Sequence, residues 1–160
     1  MKVLVTGVAG FIGSSLVLRL LERGDTVVGI DNHNDYYDPK LKEARLSRYL
    51  GRPNYTHLRI DLADQKAMDC AFETHKPNRV VNLAAQAGVR YSIENPFAYV
   101  NSNVVGFLHV LEGCRHPALS ILCTPVVQAF MVPILRCRFL STITSTIHYH
   151  FTQLARKVMN

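Results

Sequence analysis

The sequence predicts an α/β fold built on a doubly wound parallel sheet, and three observations lead there. Short apolar, strand-like runs alternate with longer helix-like stretches from Lys2 to about His116, the first run ends in a glycine-rich turn, and an acidic residue closes the second. Strictly alternating strands and helices are what a parallel sheet with helical crossovers requires.

The elements follow in order. Lys2–Thr6 is a short apolar run rich in β-branched residues that stops at Gly7, the pattern of a buried strand. Ile12, Leu16 and Leu20 recur at four-residue spacing beside Val17 and Leu21, predicting a helix closed by Gly24. Thr26–Ile30 forms a second strand and leads into Asp31. Asp38 as N-cap and Pro39 at the first helical position open a polar helix to about Leu50, after which residues 55–60 alternate as a third strand. Asp64 caps a helix to about His75, Lys76-Pro77-Asn78 turns the chain, and residues 79–83 make an apolar fourth strand. A loop over residues 84–95 leads to Pro96, where a long helix begins whose inner face reads Val100, Val104, Phe107, Leu108 and Leu111.

A chain of 160 residues, 48% of them hydrophobic, is long enough to bury a core. No run approaches the roughly 20 apolar residues of a membrane helix, and the start lacks the apolar stretch of a secretory signal, so the sequence predicts no membrane association and a cytoplasmic location. The four cysteines, Cys70, Cys114, Cys123 and Cys137, show no C-x-x-C spacing and are expected to be reduced thiols. His148 and His150 lack a third ligand and predict no metal site. The net charge of +6 raises the question of a nucleic-acid partner. Its distribution argues against one: residues 1–116 are nearly balanced, and the excess sits in the last 44, which carry four basic residues and neither a basic cluster nor a helical stripe.

Between the first strand and the first helix lies Thr6-Gly7-Val8-Ala9-Gly10-Phe11-Ile12-Gly13. Gly7 suits a tight turn, Gly10 lets the backbone approach a pyrophosphate, and Gly13 allows helix and strand to pack closely, while the helix N-terminus offers free N–H groups and a partial positive charge. Asp31 stands 18 residues beyond Gly13, at the end of the second strand, where a carboxylate accepts both ribose hydroxyls of an adenosine. That charge repels a 2′-phosphate, so NAD is expected rather than NADP. Asp61-Leu62, closing the third strand, reads either as an adenine contact or as a plain turn.

TGVAGFIGSSL, together with Asp31, Asp61-Leu62 and Asn82-Leu83-Ala84-Ala85, resembles the extended short-chain dehydrogenase/reductase family, whose cofactor half is a Rossmann fold. Within it, DNHNDYYDPKLKEARL and AAQAGVRYSIENP resemble the UDP-glucuronate 4-epimerases of bacterial polysaccharide synthesis, and the likeness covers residues 1–116. The resemblance implies that the backbone at Phe11 and Ile12 binds pyrophosphate, that Asn32 accompanies Asp31, that Leu83, Ala84 and Ala85 line the cofactor, that Asn103 contacts it from the long helix, and that Gln86, Arg90 and Tyr91 approach a UDP-sugar. It also implies a homodimer for intact relatives. Such enzymes pass the sugar C4 hydride to NAD+ and back while the tyrosine of a Tyr-x-x-x-Lys pair, assisted by a Ser or Thr after the fifth strand, handles the hydroxyl proton.

Here the only Tyr-x-x-x-Lys is Tyr36 to Lys40, with Pro39 inside it, after the second strand. A working pair needs helical spacing beside the nicotinamide, so Tyr36 is not expected to be catalytic. The reason for the missing pair lies in residues 117–160, which hold no Asp, Glu or Gly, whereas residues 1–116 hold all 12 acidic residues and all nine glycines. Pro125 and Pro133 also interrupt the apolar runs where a fifth strand is due. Synonymous codons can be chosen for Thr124 to Val132 that, read from each third base, encode A-S-S-S-S-V-Y-G, and for Phe151 to Lys157 that encode Y-A-A-S-K-K in the same shift. The sequence therefore predicts a partial Rossmann domain of about four strands over residues 1–116, a frameshifted tail over 117–160, and no substrate domain. Two alternatives stand beside an inactive UDP-glucuronate 4-epimerase fragment: a sibling epimerase, dehydratase or decarboxylase, and a noncatalytic NAD-binding module.

Overall fold

The computed structural model describes residues 1–115 and 121–123. All of them fall in the first of two compact units, Met1–Val126. Pro125, Pro133, Cys137, His148 and His150 lie outside the described residues, as does the rest of the segment after Cys123.

The apolar runs become strands β1 (Lys2–Thr6), β2 (Thr26–Ile30), β3 (Tyr55–Leu58) and β4 (Arg79–Asn82), separated by helices α1 (Phe11–Glu22), α2 (Pro39–Leu46) and α3 (Gln65–His75). Asp38 and Asp64 cap α2 and α3 through their carboxylates, and Gly24 follows α1 at φ +88°. After β4 come α4 (Val89–Glu94), α5 (Pro96–Val100), a π-helical turn at Asn101–Val105, and α6 (Gly106–Gly113). The loop expected over residues 84–95 thus contains a short helix, and α2 stops at Leu46, short of Leu50.

All pairings are parallel, in the order β3-β2-β1-β4-β5. The four strands expected within residues 1–116 are present, and β5 (Ile121–Cys123), from the segment assigned to the tail, adds a three-residue fifth beside β4. It lies ahead of Pro125, so no proline enters the described ladder. Strand order reverses between β1 and β4, and Thr6 is in register with both Ile30 and Asn82. The loops leaving β1, β2 and β4 therefore emerge together at a topological switch point, where open α/β sheets bind ligands.

Period-two alternation divides the core. Val3 and Val5 face α1 and α2 with Val17, Leu20, Leu21, Leu46 and Tyr49; Leu4 and Val80 face α3 and α6 with Met68, Phe72 and Val110. On α1, Ile12 departs from the expected inner stripe and is exposed in the first turn. The long helix departs further. Val104 and Leu108, expected inside, are 56% and 53% exposed, Val100 and Leu111 are also exposed, and the buried positions are Gly106, Val110 and Gly113. A Cβ on Gly106 would stand 2.7 Å from Leu62 Cβ, and one on Gly113 would strike the Phe72 ring. Glycine backbone on either side of Val110 makes this contact, so the stripe of Val100, Val104, Leu108 and Leu111 marks the opposite face.

Candidate functional site

The turn after β1 is fixed by backbone geometry. Gly7 adopts φ +71° and donates its N–H to the Ile30 carbonyl at 2.8 Å; Gly10 N–H returns to the Gly7 carbonyl at 3.0 Å. A side chain on Gly7 would bring Cβ to 2.8 Å from Ala84 N, and a Cβ on Gly13 would strike the Gly7 carbonyl oxygen. The turn thus lies against residues 83–84 on one side and the first turn of α1 on the other. No side chain caps α1, so its leading N–H groups at Phe11 and Ile12 remain available to an anion.

Asp31, buried, closes β2 beside this turn. Ala9 N–H donates to its Oδ2 and His33 N–H to its Oδ1, both at 3.0 Å, the latter made possible by His33 at φ +54°. Each oxygen keeps a further lone pair for a ligand hydroxyl. Asn32 Nδ2 donates to Asp61 Oδ2 at 3.0 Å, while Ala63 N–H donates to Asp61 Oδ1, so Asp61 holds a turn and lines the crevice as well. Beneath Asp31, His33 Nε2 and His57 Nε2 are 2.8 Å apart, and the Tyr55 hydroxyl lies 2.9 Å from His57 Nδ1. Burial holds both imidazoles below the usual histidine pKa, against the pull of the Asp31 carboxylate.

The opposite wall is set by Thr6. Its buried hydroxyl donates to Asn82 Oδ1 at 2.6 Å and accepts the N–H groups of Leu83 and Ala84, each at 3.1 Å, which ties the exit of β4 to the end of β1. Farther along, Gln86 N–H donates to Asn103 Oδ1 at 2.8 Å and Asn103 Nδ2 donates to the Gln86 carbonyl at 3.0 Å. The Asn103 amide is thus engaged with protein backbone. The π-helical turn, in which Gly106 N–H reaches the Asn101 carbonyl, encloses Asn103.

Of the residues expected from sequence, Gly7, Gly10, Asp31, Asn32, Asp61, Leu62, Leu83, Ala84, Ala85 and Gln86 line one crevice. Phe11, Ile12 and Gly13 form the helix end beside it, whereas Arg90 is exposed and Tyr91 packs against Tyr36 rather than lining it. Sequence reasoning missed Ile30, Asn34, Tyr36, Tyr37, Lys42, Ile60 and Ser102, which complete the lining. Nothing in residue type marks Lys42, since it is buried while its neighbour Leu41 is exposed. Tyr36 precedes α2 and Lys40 sits exposed in its first turn, so the two do not share a helix face. Cys70 and Cys114 are free, and burial pushes the Cys114 thiol up to about 12.

Hydrogen-bond donors at a helix end can receive an anion, and a buried carboxylate with spare lone pairs can accept hydroxyl groups, facing an apolar opposite wall. The family model for GDP-mannose 4,6 dehydratase matches residues 4–147. The chain belongs to that family. This dehydratase-family match extends beyond His116, where the motif resemblance ends. Protein CapI of Staphylococcus aureus is 51% identical over 116 residues, which cover 72% of this chain and 34% of CapI. UDP-glucuronate 4-epimerase 1 of Arabidopsis thaliana is 49% identical over 114 residues, 71% of this chain and 26% of that protein. Among solved structures, UDP-glucuronic acid 4-epimerase from Bacillus cereus, in complex with UDP-glucuronic acid and NAD, superposes with a TM-score of 0.71 at 32% identity, covering 78% of this chain and 39% of that one. The chain spans about a third or less of the length of these curated relatives. Among the described residues, no helix is long and apolar enough to cross a membrane.

Proposed function

We propose that this member of the family is the NAD-binding part of a UDP-glucuronate 4-epimerase and that, as this chain, it binds the dinucleotide without epimerising sugar. The observation that carries the proposal is Asp31, oriented through both carboxylate oxygens by Ala9 and His33 N–H groups beside a side-chain-free helix end. When bound, NAD supplies hydride acceptance and return. The chain's own residues do the rest of the binding: Asp31 accepts the ribose hydroxyls, the leading N–H groups of α1 receive the pyrophosphate, and Leu83, Ala84 and Ala85 flank the nicotinamide side. Gln86, Arg90 and Tyr91 lie toward the UDP-sugar. The names of the curated relatives support this substrate class over a neutral sugar. A cytoplasmic location and a homodimeric intact protein belong to the same reading.

That the sequence's only Tyr-x-x-x-Lys, Tyr36 to Lys40, does not share a helix face supports inactivity. We attribute the inactivity to a shifted frame over residues 117–160; sequencing the gene near the codons for Arg115 to Ala118 tests this, and early stops in the shifted frame sink it. Binding is tested with NADH, whose fluorescence is read without an indole background because the chain has no tryptophan. Saturable binding weakened about thirtyfold or more in Asp31→Ala is expected, since two hydrogen bonds to a charged acceptor are lost. No binding by the parent chain overturns the cofactor reading. Turnover of UDP-glucose but not UDP-glucuronate by a frame-restored gene product favours a sibling enzyme. One observation favours a noncatalytic module, namely that β5 covers part of the β4 edge; a cooperative thermal transition together with NADH binding supports that reading, and an unfolded product rejects it.

A further inference from the structure

The loops after β2 and β4 touch each other across the crevice at two places. Asn34 Nδ2 lies 3.4 Å from Gln86 Oε1, and the Tyr36 ring packs on Tyr91 with centroids 4.9 Å apart. The Tyr36 hydroxyl sits where a side chain on Gly88 would project, and Gly88 adopts φ +100°. The near end is anchored from α2: Lys42 Nζ donates to the Asn34 carbonyl at 2.7 Å and to Asn34 Oδ1 at 2.6 Å. Lys42 is 8% exposed. Among the described residues it has no carboxylate at ion-pair distance, so its two bonds to Asn34, with the more distant Asp31 and Asp35 carboxylates, compensate the buried charge. The far end is anchored by the reciprocal bonds between Gln86 and Asn103.

β2 and β4 flank β1 on its two sides. A dinucleotide reaching from Asp31 to Ala84 and Ala85 runs the same course as the contact from Asn34 to Gln86. We propose that residues 34–36 and 86–91 form a strap across the crevice, with Lys42 as the positioning residue that holds it closed, and that a bound dinucleotide leaves only when the strap opens. The strap explains why a lysine is buried in α2, where an apolar residue packs at lower desolvation cost. It also carries Tyr91, next to Arg90, so its closure sets the position of the segment facing the sugar-nucleotide side. The release step rests on the NAD reading; the crossing itself does not.

Hydrogen exchange on the full chain without cofactor tests the crossing. Lys42→Met is expected to speed exchange about tenfold at residues 32–38 and also at 86–91, across the crevice, the weight of one charge-assisted hydrogen bond. Protection in β1 stays unchanged. Faster exchange confined to 32–38 overturns the strap. If Lys42→Met also deprotects β1, Asn34→Ser, which removes the crossing amide from a loop, is judged by the same criterion. Stopped-flow release of NADH is then expected to be about tenfold faster in Lys42→Met and near the parent rate in Lys42→Arg. Unchanged release with retained binding overturns the gating role. Absence of NADH binding in the parent chain overturns the cofactor reading and with it the gating, while the exchange result still decides the crossing.

Discussion

At the turn after β1 no space remains for a methyl group: a Cβ on Gly13 would strike the Gly7 carbonyl oxygen, and one on Gly7 would stand 2.8 Å from Ala84 N. Along α5 and α6 the arrangement is reversed on one face, where Phe97, Val100, Val104 and Leu108 are all exposed, and repeated on the other, where Gly106 and Gly113 lie against Leu62 and Phe72. Both tight contacts are made by glycine. Small residues therefore mark the closest packing here, Val110 fills the core between them, and Phe97, Val100, Val104 and Leu108 mark the side away from the described core.

The largest effect is expected at Gly13, where the obstruction is backbone and cannot swing aside. Gly13→Ala should cost about 3 kcal/mol or more in urea unfolding, and a loss below about 1 kcal/mol would show that the turn relaxes freely. Gly113→Ala meets a phenylalanine ring, which yields at the expense of repacking the cluster around Met68 and Val110; about 1–2 kcal/mol is expected. An unchanged melting temperature would mean that α6 is not seated as described.

A third test concerns the histidine pair under Asp31. Burial lowers both pKa values, so the folded chain binds fewer protons than the unfolded one just below the ordinary histidine value. Stability is then full above about pH 6.5 and declines as pH falls through that value toward the folded pKa values. Thermal melts across this window should show the decline, and His57→Gln should flatten it; an identical slope in the variant counts against the pair as its source. Smallest is Leu108→Ser on the open helix face, expected within about 0.5 kcal/mol of the parent. A cost near that of Gly113→Ala would show that the face is covered.

Sequence pattern revealed the sheet well because its signals are local. β-branched runs, the Asp38 and Asp64 caps, and the glycine turn each act within a few residues, and each stands in the structure as expected. The site was legible where motif and backbone coincide, as at Gly7, Asp31 and Ala84. Lys42, Thr6 and Asn34 were not, because their roles depend on partners 8 to 78 positions away. The face of the long helix failed for a different reason: counting apolar side chains cannot register a contact made by glycine backbone. Asn103 was assigned to the cofactor, while its side chain is occupied with the backbone of Gln86.

The π-helical turn at Asn101–Val105 gives the long helix a property that composition does not describe. Each residue of a regular helix advances the azimuth by about 100°. Because one extra residue is accommodated ahead of Gly106, the part that grips Gln86 and the part that lies on Leu62 and Phe72 are phased separately, like two keys cut on one shaft. A deletion inside this turn would restore regular winding with Gly106 near its present azimuth, whereas a deletion between Gly106 and Gly113 would swing Gly113 about 100° off the Phe72 ring. The segment is therefore open to substitution on its outer side and closed to a change in length between its two glycines.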